Sequence, residues 1–201
     1  MQSIKNNLIS PMDLEYFEKI IFEQSDFTQI PLSKGEYEHC IFKNCDFSDS
    51  DLAGIKFIEC EFESCNLSTV KLQNSIFRDT AFNNCKMLGL QFENCNNFLL
   101  SFSFNNCDLS YSSFYRTNIK RTQFINTKLH ETDFTECILI GSLFDNCDLT
   151  GAIFGNTNIE KADFSTSFNY SINPETNKIK KAKFSQSGLI GLLYKYDIEI
   201  I

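Results

Sequence analysis

Nine cysteines, two histidines and a surplus of carboxylates are the residues of this 201-residue chain whose types could do chemistry. Thiolates and imidazoles hold zinc when four of them cluster, usually as C-x-x-C pairs with histidine partners. The cysteines here are Cys40, Cys45, Cys60, Cys65, Cys85, Cys95, Cys107, Cys137 and Cys147, and they contain no such pair. Their separations are multiples of five apart from one step of twelve, and His39 and His130 fall outside that register. Thiols placed so regularly read as small buried apolar groups, not as ligands. Nucleophilic and phosphate chemistry fare no better. There is no G-x-S-x-G, no glycine-rich phosphate loop and no histidine that the register sets beside a nucleophile. The reading is a protein that is not an enzyme, with no catalytic residue, cofactor, metal or small-molecule substrate.

The carboxylates remain. Asp and Glu number 26 against 18 Lys and Arg, a net charge of −8, which favours a basic partner over direct contact with nucleic acid. The charge is segregated: residues 13–63 carry −9, residues 64–130 carry +4 and residues 131–163 carry −6. No basic-plus-apolar leader and no apolar run near 18 residues occurs, so no membrane contact and a cytoplasmic location are expected.

What would position these groups is a register of five. Large apolar residues recur at every fifth position from Phe22 to Phe92 and, after a two-residue slip, from Leu99 to Phe164. Five is neither the period of a strand nor that of a helix, so it marks a repeat. Two residues before most apolar centres stands Cys, Ser, Thr or Ala, and one residue before the centre Asp or Asn is frequent. Asp26, Asp46, Asp51, Asp108, Asp133, Asp148 and Asp163 in that place serve a local turn by bonding nearby backbone. A second period, of twenty, sorts the centres into four sets. One set is entirely phenylalanine: Phe22, Phe42, Phe62, Phe82, Phe104, Phe124, Phe144 and Phe164.

The motif of small residue, Asp/Asn, Leu/Phe and two polar residues resembles the pentapeptide-repeat family over roughly residues 22–184. The resemblance implies an all-β fold: a right-handed quadrilateral β-helix with four pentapeptides per coil. Coils stacked about 4.8 Å apart would bring successive phenylalanines into offset stacking and leave room only for a small residue beside each. On this register Cys45, Cys65, Cys85, Cys107 and Cys147 form one column. Twenty-nine centres at four per coil make about seven coils, with irregularity confined to residues 95–99 around Asn96, Asn97 and Phe98.

The ends lie outside the clear repeat. Ser10-Pro11 reads as a helix start, and residues 1–21 as a short N-terminal cap in which Tyr16, Phe17 and Ile20 cover the core. Residues 185–201 read as a C-terminal module. Ser185 caps a helix presenting Leu189, Leu192, Leu193 and Tyr196 on one face, and a tail containing Ile198 and Ile200 alternates like a strand.

Within residues 35–62, the pieces Asn44-Cys45-Asp46-Phe47-Ser48, Asp51-Leu52, Phe57-Ile58 and Cys60-x-Phe62 resemble the Qnr group of this family. That resemblance implies binding to DNA gyrase or topoisomerase IV by imitation of DNA, with protection from quinolones. It also implies a homodimer joined end to end through Leu189, Leu192, Leu193, Tyr196, Ile198 and Ile200. The slip at Asn96 is too short for the projecting loops that many Qnr proteins carry. The carboxylates expected to meet the partner are Asp49, Glu59, Glu61 and Glu63 near one end. Glu131, Glu136 and Asp145 lie beyond a basic middle holding Arg116, Lys120 and Arg121. The other reading is an adaptor solenoid for some other basic protein.

Overall fold

A chain that turns a corner every five residues needs a residue at each corner that reverses the backbone. In the computed structural model, which describes residues 15–98 and 100–199, the second residue after nearly every apolar centre takes positive φ. Lys19, Asn44, Asp49, Glu59, Asn84, Arg121, Glu136 and Lys181 are examples, with φ of 57°, 51°, 58°, 51°, 56°, 61°, 55° and 62°. Left-handed backbone costs a non-glycine residue roughly 1–2 kcal/mol. The cost is offset because the corner N–H donates to the next coil: Lys19 to Glu38 O, Gln24 to Lys43 O and Asn44 to Glu63 O, each at 2.9 Å.

The result is a right-handed, four-sided β-helix of about eight turns, all of its strands parallel. One side is a nine-stranded sheet from Ile21–Glu23 to Lys183–Phe184. An adjoining side carries a four-stranded sheet: Glu15–Glu18, Gly35–Glu38, Lys56–Ile58 and Ile76–Arg78. The other sides stack through single bridges such as Asp26 to Asp46 to Asn66 to Lys86. Partners lie twenty residues apart except across the insertion, where Thr80–Asn83 pairs with Phe102–Asn105, Lys86 with Asp108 and Gln91 with Ser113 at twenty-two. The Asp residues before the centres make the expected turns. Asp46 Oδ1 accepts the N–H of Ser48 at 2.9 Å, Asp133 that of Thr135 at 2.7 Å and Asp163 that of Ser165 at 3.0 Å.

The core is a stack of rings. From Phe22 to Phe184 successive phenylalanines of the long sheet lie 4.4–5.5 Å apart between centroids, with planes within 18°. The stack therefore runs one rung past Phe164. Beside it, Ser, Thr and Cys hydroxyls and thiols donate to the carbonyl of the centre 23 residues earlier. Ser75 Oγ reaches Leu52 O at 2.7 Å, Thr157 Oγ1 reaches Phe134 O at 2.8 Å and Cys65 Sγ reaches Phe42 O at 3.3 Å. The inward position is thus filled most often by a small donor, although Ile55, Val70, Leu90, Ala152 and Ala162 also occupy it.

Three expectations are corrected. Strand pairing begins at Glu15, not at residue 22, because Phe17 stacks on Tyr37 at 4.5 Å as an ordinary centre. Tyr16 and Ile20 are exposed on the outer surface instead of covering the core. The helix start read at Ser10-Pro11 lies outside the described residues. The irregular stretch also extends beyond residue 99: Ser101 N donates to Phe77 O, and Phe102 fills an inward position that is smaller elsewhere. Phe102 packs against Phe92 and Phe104 at 5.2 and 5.4 Å, taking up the space the two-residue insertion opens. Among the described residues no helix is long and apolar enough to cross a membrane.

Phe124 is fully buried, stacked on Phe104 and Phe144 and edge-on to Phe114 and Phe134. Phe124→Ala is expected to lower unfolding free energy by about 3–5 kcal/mol in a urea titration, because neighbouring rungs cannot collapse into the cavity. A loss under 1 kcal/mol would contradict the stacked-ring core.

Candidate partner-binding surface and C-terminal module

The nine cysteines are all buried and free. Burial pushes the thiols of Cys60, Cys137 and Cys147 up to about 12, so at neutral pH they are neutral hydrogen-bond donors. Among the described residues no group of three or more potential metal ligands comes together.

The carboxylates singled out from the sequence separate into two situations. Asp49, Glu59, Glu131 and Glu136 occupy left-handed corner positions, with φ of 58°, 51°, 51° and 55°. Glu61, Glu63 and Asp145 flank phenylalanines on the outer surface of the long sheet. The structure brings Glu59, Glu61 and Glu63 together on one coil, where a corner meets that sheet. Glu63 and Asp145 share a column of the sheet four rungs apart. Asp49 and Glu131 share a different corner, and Glu136 stands on a third. The seven do not form a single patch.

Several of these acids also have partners one coil away. Glu63 faces Lys43 at 3.2 Å, Glu59 faces His39 Nδ1 at 3.4 Å and Glu136 takes both Nε and Nη2 of Arg116, at 2.7 and 3.1 Å. Arg116 in turn holds Glu136 below its usual carboxylate range. Asp49 accepts from Thr69 and Asp145 from Thr166. Exposed ion pairs of this kind contribute little to stability, but together they weaken the outward negative field. The sequence reading assigned these acids no local partner. The signal was available, since Lys43 with Glu63, His39 with Glu59, Arg116 with Glu136 and Thr69 with Asp49 each lie twenty residues apart.

A column of asparagines was missed. Asn44, Asn84, Asn106, Asn126 and Asn146 occupy one left-handed corner beside the long sheet. Asn106 Nδ2 donates to Asn84 Oδ1 at 2.7 Å, and Asn146 Nδ2 to Asn126 Oδ1 at 2.8 Å. Asparagine tolerates this backbone and its amide pairs up the column.

At the C-terminus, two 3₁₀ turns, Ser187–Leu189 and Tyr194–Tyr196, flank a single helical turn, Ile190–Leu193. Ser185 Oγ accepts the N–H of Gly188 at 3.0 Å, as a capping residue would. Two glycines set the face that meets the solenoid. Gly188 and Gly191 lie against Tyr170, where a Cβ on either would overlap it, and Gly191 O accepts the N–H of Ile172 at 2.8 Å. That contact turns Leu189, Ile190, Tyr194, Tyr196 and Ile198 outward, each at least 46% exposed. Leu192 and Leu193 are half-buried, with Leu192 packed on the core. The tail read as a strand is not one: Asp197 takes φ 49°, residues 197–199 form no ladder, and Ile200 lies outside the described residues.

Coils of five-residue sides, stacked on phenylalanine with small donors beside it, define a pentapeptide-repeat solenoid. The sequence matches the family described as pentapeptide repeat region over residues 98–184, and that described as pentapeptide repeats (8 copies) over residues 40–79 and 60–96. The chain belongs to the pentapeptide-repeat family. Two solved structures of trypsin-treated variants of QnrB1, a plasmid-mediated fluoroquinolone resistance protein, share its fold. One has a TM-score of 0.55 at 18% identity over 93% of this chain and 100% of that one. The other has 0.54 at 18% identity over 91% and 99%. No curated protein matches the sequence.

Two outcomes are expected. Gly191→Ala should displace the C-terminal turn from Tyr170 and cost about 1–3 kcal/mol through overpacking, seen as faster proteolysis after Lys195; unchanged cleavage would contradict the glycine seat. The second concerns pH. Lys183 and Ser165 hold the Asp163 carboxyl at about 2. For Asp148, burial opposes ionisation, but Thr150, Asn169 and His130 outweigh it and hold that carboxyl also at about 2. Both lie below the ordinary value of 3.8, so their stabilisation is present above about pH 4 and is lost as pH falls toward 2. Thermal midpoints should drop across that window. Asn at both positions should flatten the drop.

Proposed function

We propose that this chain is a non-catalytic, DNA-mimicking binder of a type II topoisomerase, DNA gyrase or topoisomerase IV, acting in the cytoplasm as an end-to-end homodimer and protecting the enzyme from quinolones. The observation that carries the proposal is a straight rod whose first coils are acidic, with Glu59, Glu61 and Glu63 set together on its longest flat side. Nine phenylalanine rungs at about 4.8 Å span roughly 38 Å. A pair joined at the C-terminal ends spans about 77 Å, or on the order of 20 base pairs at about 3.4 Å each. The exposed Leu189, Tyr196 and Ile198 supply an apolar surface at the end where such a joint would form. The partial likeness to QnrB1 in fold supports the class of partner.

The pairing of Glu63 with Lys43 and of Glu136 with Arg116 favours a second reading, an adaptor for another basic protein that needs less negative charge than a DNA-binding groove does. One experiment separates the two. Reversal of Glu59, Glu61 and Glu63 to Lys should abolish inhibition of gyrase supercoiling while leaving the melting temperature within a few degrees. Absence of inhibition by the wild-type protein at micromolar concentration would remove the topoisomerase reading and leave the adaptor. Truncation at residue 185 should halve the mass in sedimentation; a full-length monomer would remove the dimer.

A further inference from the structure

The basic part of the chain is more ordered in space than in sequence. The corner where the four-stranded side meets the long sheet carries, coil by coil, Lys19, His39, Glu59, Asp79, Ser101, Arg121, Gly141, Lys161 and Lys181. Its first half is mixed in sign and held in local pairs: Lys19 with Glu18, His39 with Glu59 and Asp79 with Ser101. Its second half is cationic. Arg121, Lys161 and Lys181 take φ of 61°, 60° and 62° at successive occupied corners; Lys120 and Lys180 are next to them in sequence, and Lys178 lies across the same side of the last coil.

All six cations are exposed, and among the described residues none has a carboxylate within ion-pair distance. Of the nearest acids in the pattern, Asp163 is held by Lys183 at 2.8 Å, which leaves Glu160. Gly141 leaves no side chain in the row, and the Arg121 stem lies against it, within 3.8 Å of where a Cβ would be. At the upper end of the row lies a groove of about 400 Å³ whose lining includes Ser101, Ser103, Lys120 and Arg121, with the carboxylate of Asp79, which accepts from Ser101, on its far side.

We propose that this edge is a docking surface for the phosphate backbone of duplex DNA, read without sequence preference. The net charge of −8 argues against nucleic acid only as an average over the chain. Lys161 and Lys181 lie five and six rungs from the coil of Glu59, Glu61 and Glu63, roughly 24–29 Å. That is about three Debye lengths at physiological salt, so these three acids are screened from an anion at Lys161 or Lys181; the acids that adjoin the corner there are Glu160 and Asp163. The cations form a line, not a patch. A line about 14 Å long, from Arg121 to Lys181, matches about four successive phosphates of one strand at about 3.4 Å rise. The flanking sides return to acidic or neutral residues, which disfavours a planar anionic surface such as a lipid bilayer. No aromatic residue stands in the row to stack on a base, so the contact is to the backbone. The proposal is independent of the topoisomerase reading, which rests on the other end of the rod.

The experiment is fluorescence anisotropy of a labelled 20-base-pair duplex, in two unrelated sequences, with the full-length protein. Both sequences should bind alike at 50 mM salt, and binding should weaken about 100-fold by 200 mM, as neutralisation of about four phosphates requires. Arg121→Glu, Lys161→Glu and Lys181→Glu together should abolish it. Glutamate already occupies this left-handed position at Glu59, Glu131 and Glu136, so the variant is expected to fold, and its circular dichroism spectrum checks this. Reversal of Glu59, Glu61 and Glu63 should leave duplex binding intact or raise it, which separates this test from the gyrase test. No duplex binding at 50 mM salt, or equal binding by the folded triple variant, would overturn the proposal. Capture of polyglutamate or of anionic phospholipid vesicles without capture of the duplex would overturn it as well.

Discussion

Every coil of this rod is held by hydrogen bonds that run along the rod axis, to the coil above and the coil below, and the rest of the structure conforms to that direction. Parallel strands that stack in register place each residue over the one twenty positions earlier, so like side chains accumulate in columns. A column of phenylalanines can stack, and a column of asparagines can pair its amides. A column of small donors can satisfy the carbonyls that point across the corners, as Ser75, Thr157 and Cys65 do. The same registry fixes the left-handed corners: a residue such as Glu136 or Arg121 would not adopt that backbone alone, but its N–H has an acceptor only there.

This registry also decides the electrostatics. Ion pairs form between coils, as in Glu36 with Lys56, Lys43 with Glu63 and Asp163 with Lys183, so one charge in a column is neutralised by the next. What remains outward is the residue whose column neighbour is uncharged. Glu61, with Ile41 below and Ala81 above, is such a case on the acidic end; on the basic edge Lys161 has Gly141 below and the like-charged Lys181 above, so it too is left without a neutralising neighbour. A single linear sum of charge along the sequence conceals this, because the relevant neighbour is a coil away.

The phenylalanine ladder, the four sides and the turn-making aspartates were legible in the sequence because stacking leaves a strict period, and the residues at Phe62 or Asp46 have only one way to obey it. The slip at Asn96 was legible as an insertion. Its absorption by Phe102 was not, since a large residue at an inward position contradicts the pattern that identifies the position. The seating of the C-terminal turn was not legible for a related reason. Leu189, Leu192, Leu193 and Tyr196 have helical spacing, but two glycines set the close contact with Tyr170, and close approach outweighs the spacing of the larger side chains in choosing which face is buried. The columns of acids and their cationic partners were countable at period twenty, and it is this register that turns a list of carboxylates into a surface.

The central claim, that the acidic rod takes the place of DNA on a topoisomerase, is tested most directly by competition at physiological salt. Purified gyrase is loaded with a labelled duplex that spans its DNA-binding groove, and this protein is titrated in. The account predicts that the duplex is released as the protein binds, and that excess duplex in turn expels the protein. A stable complex that holds duplex and protein together at saturation would contradict it.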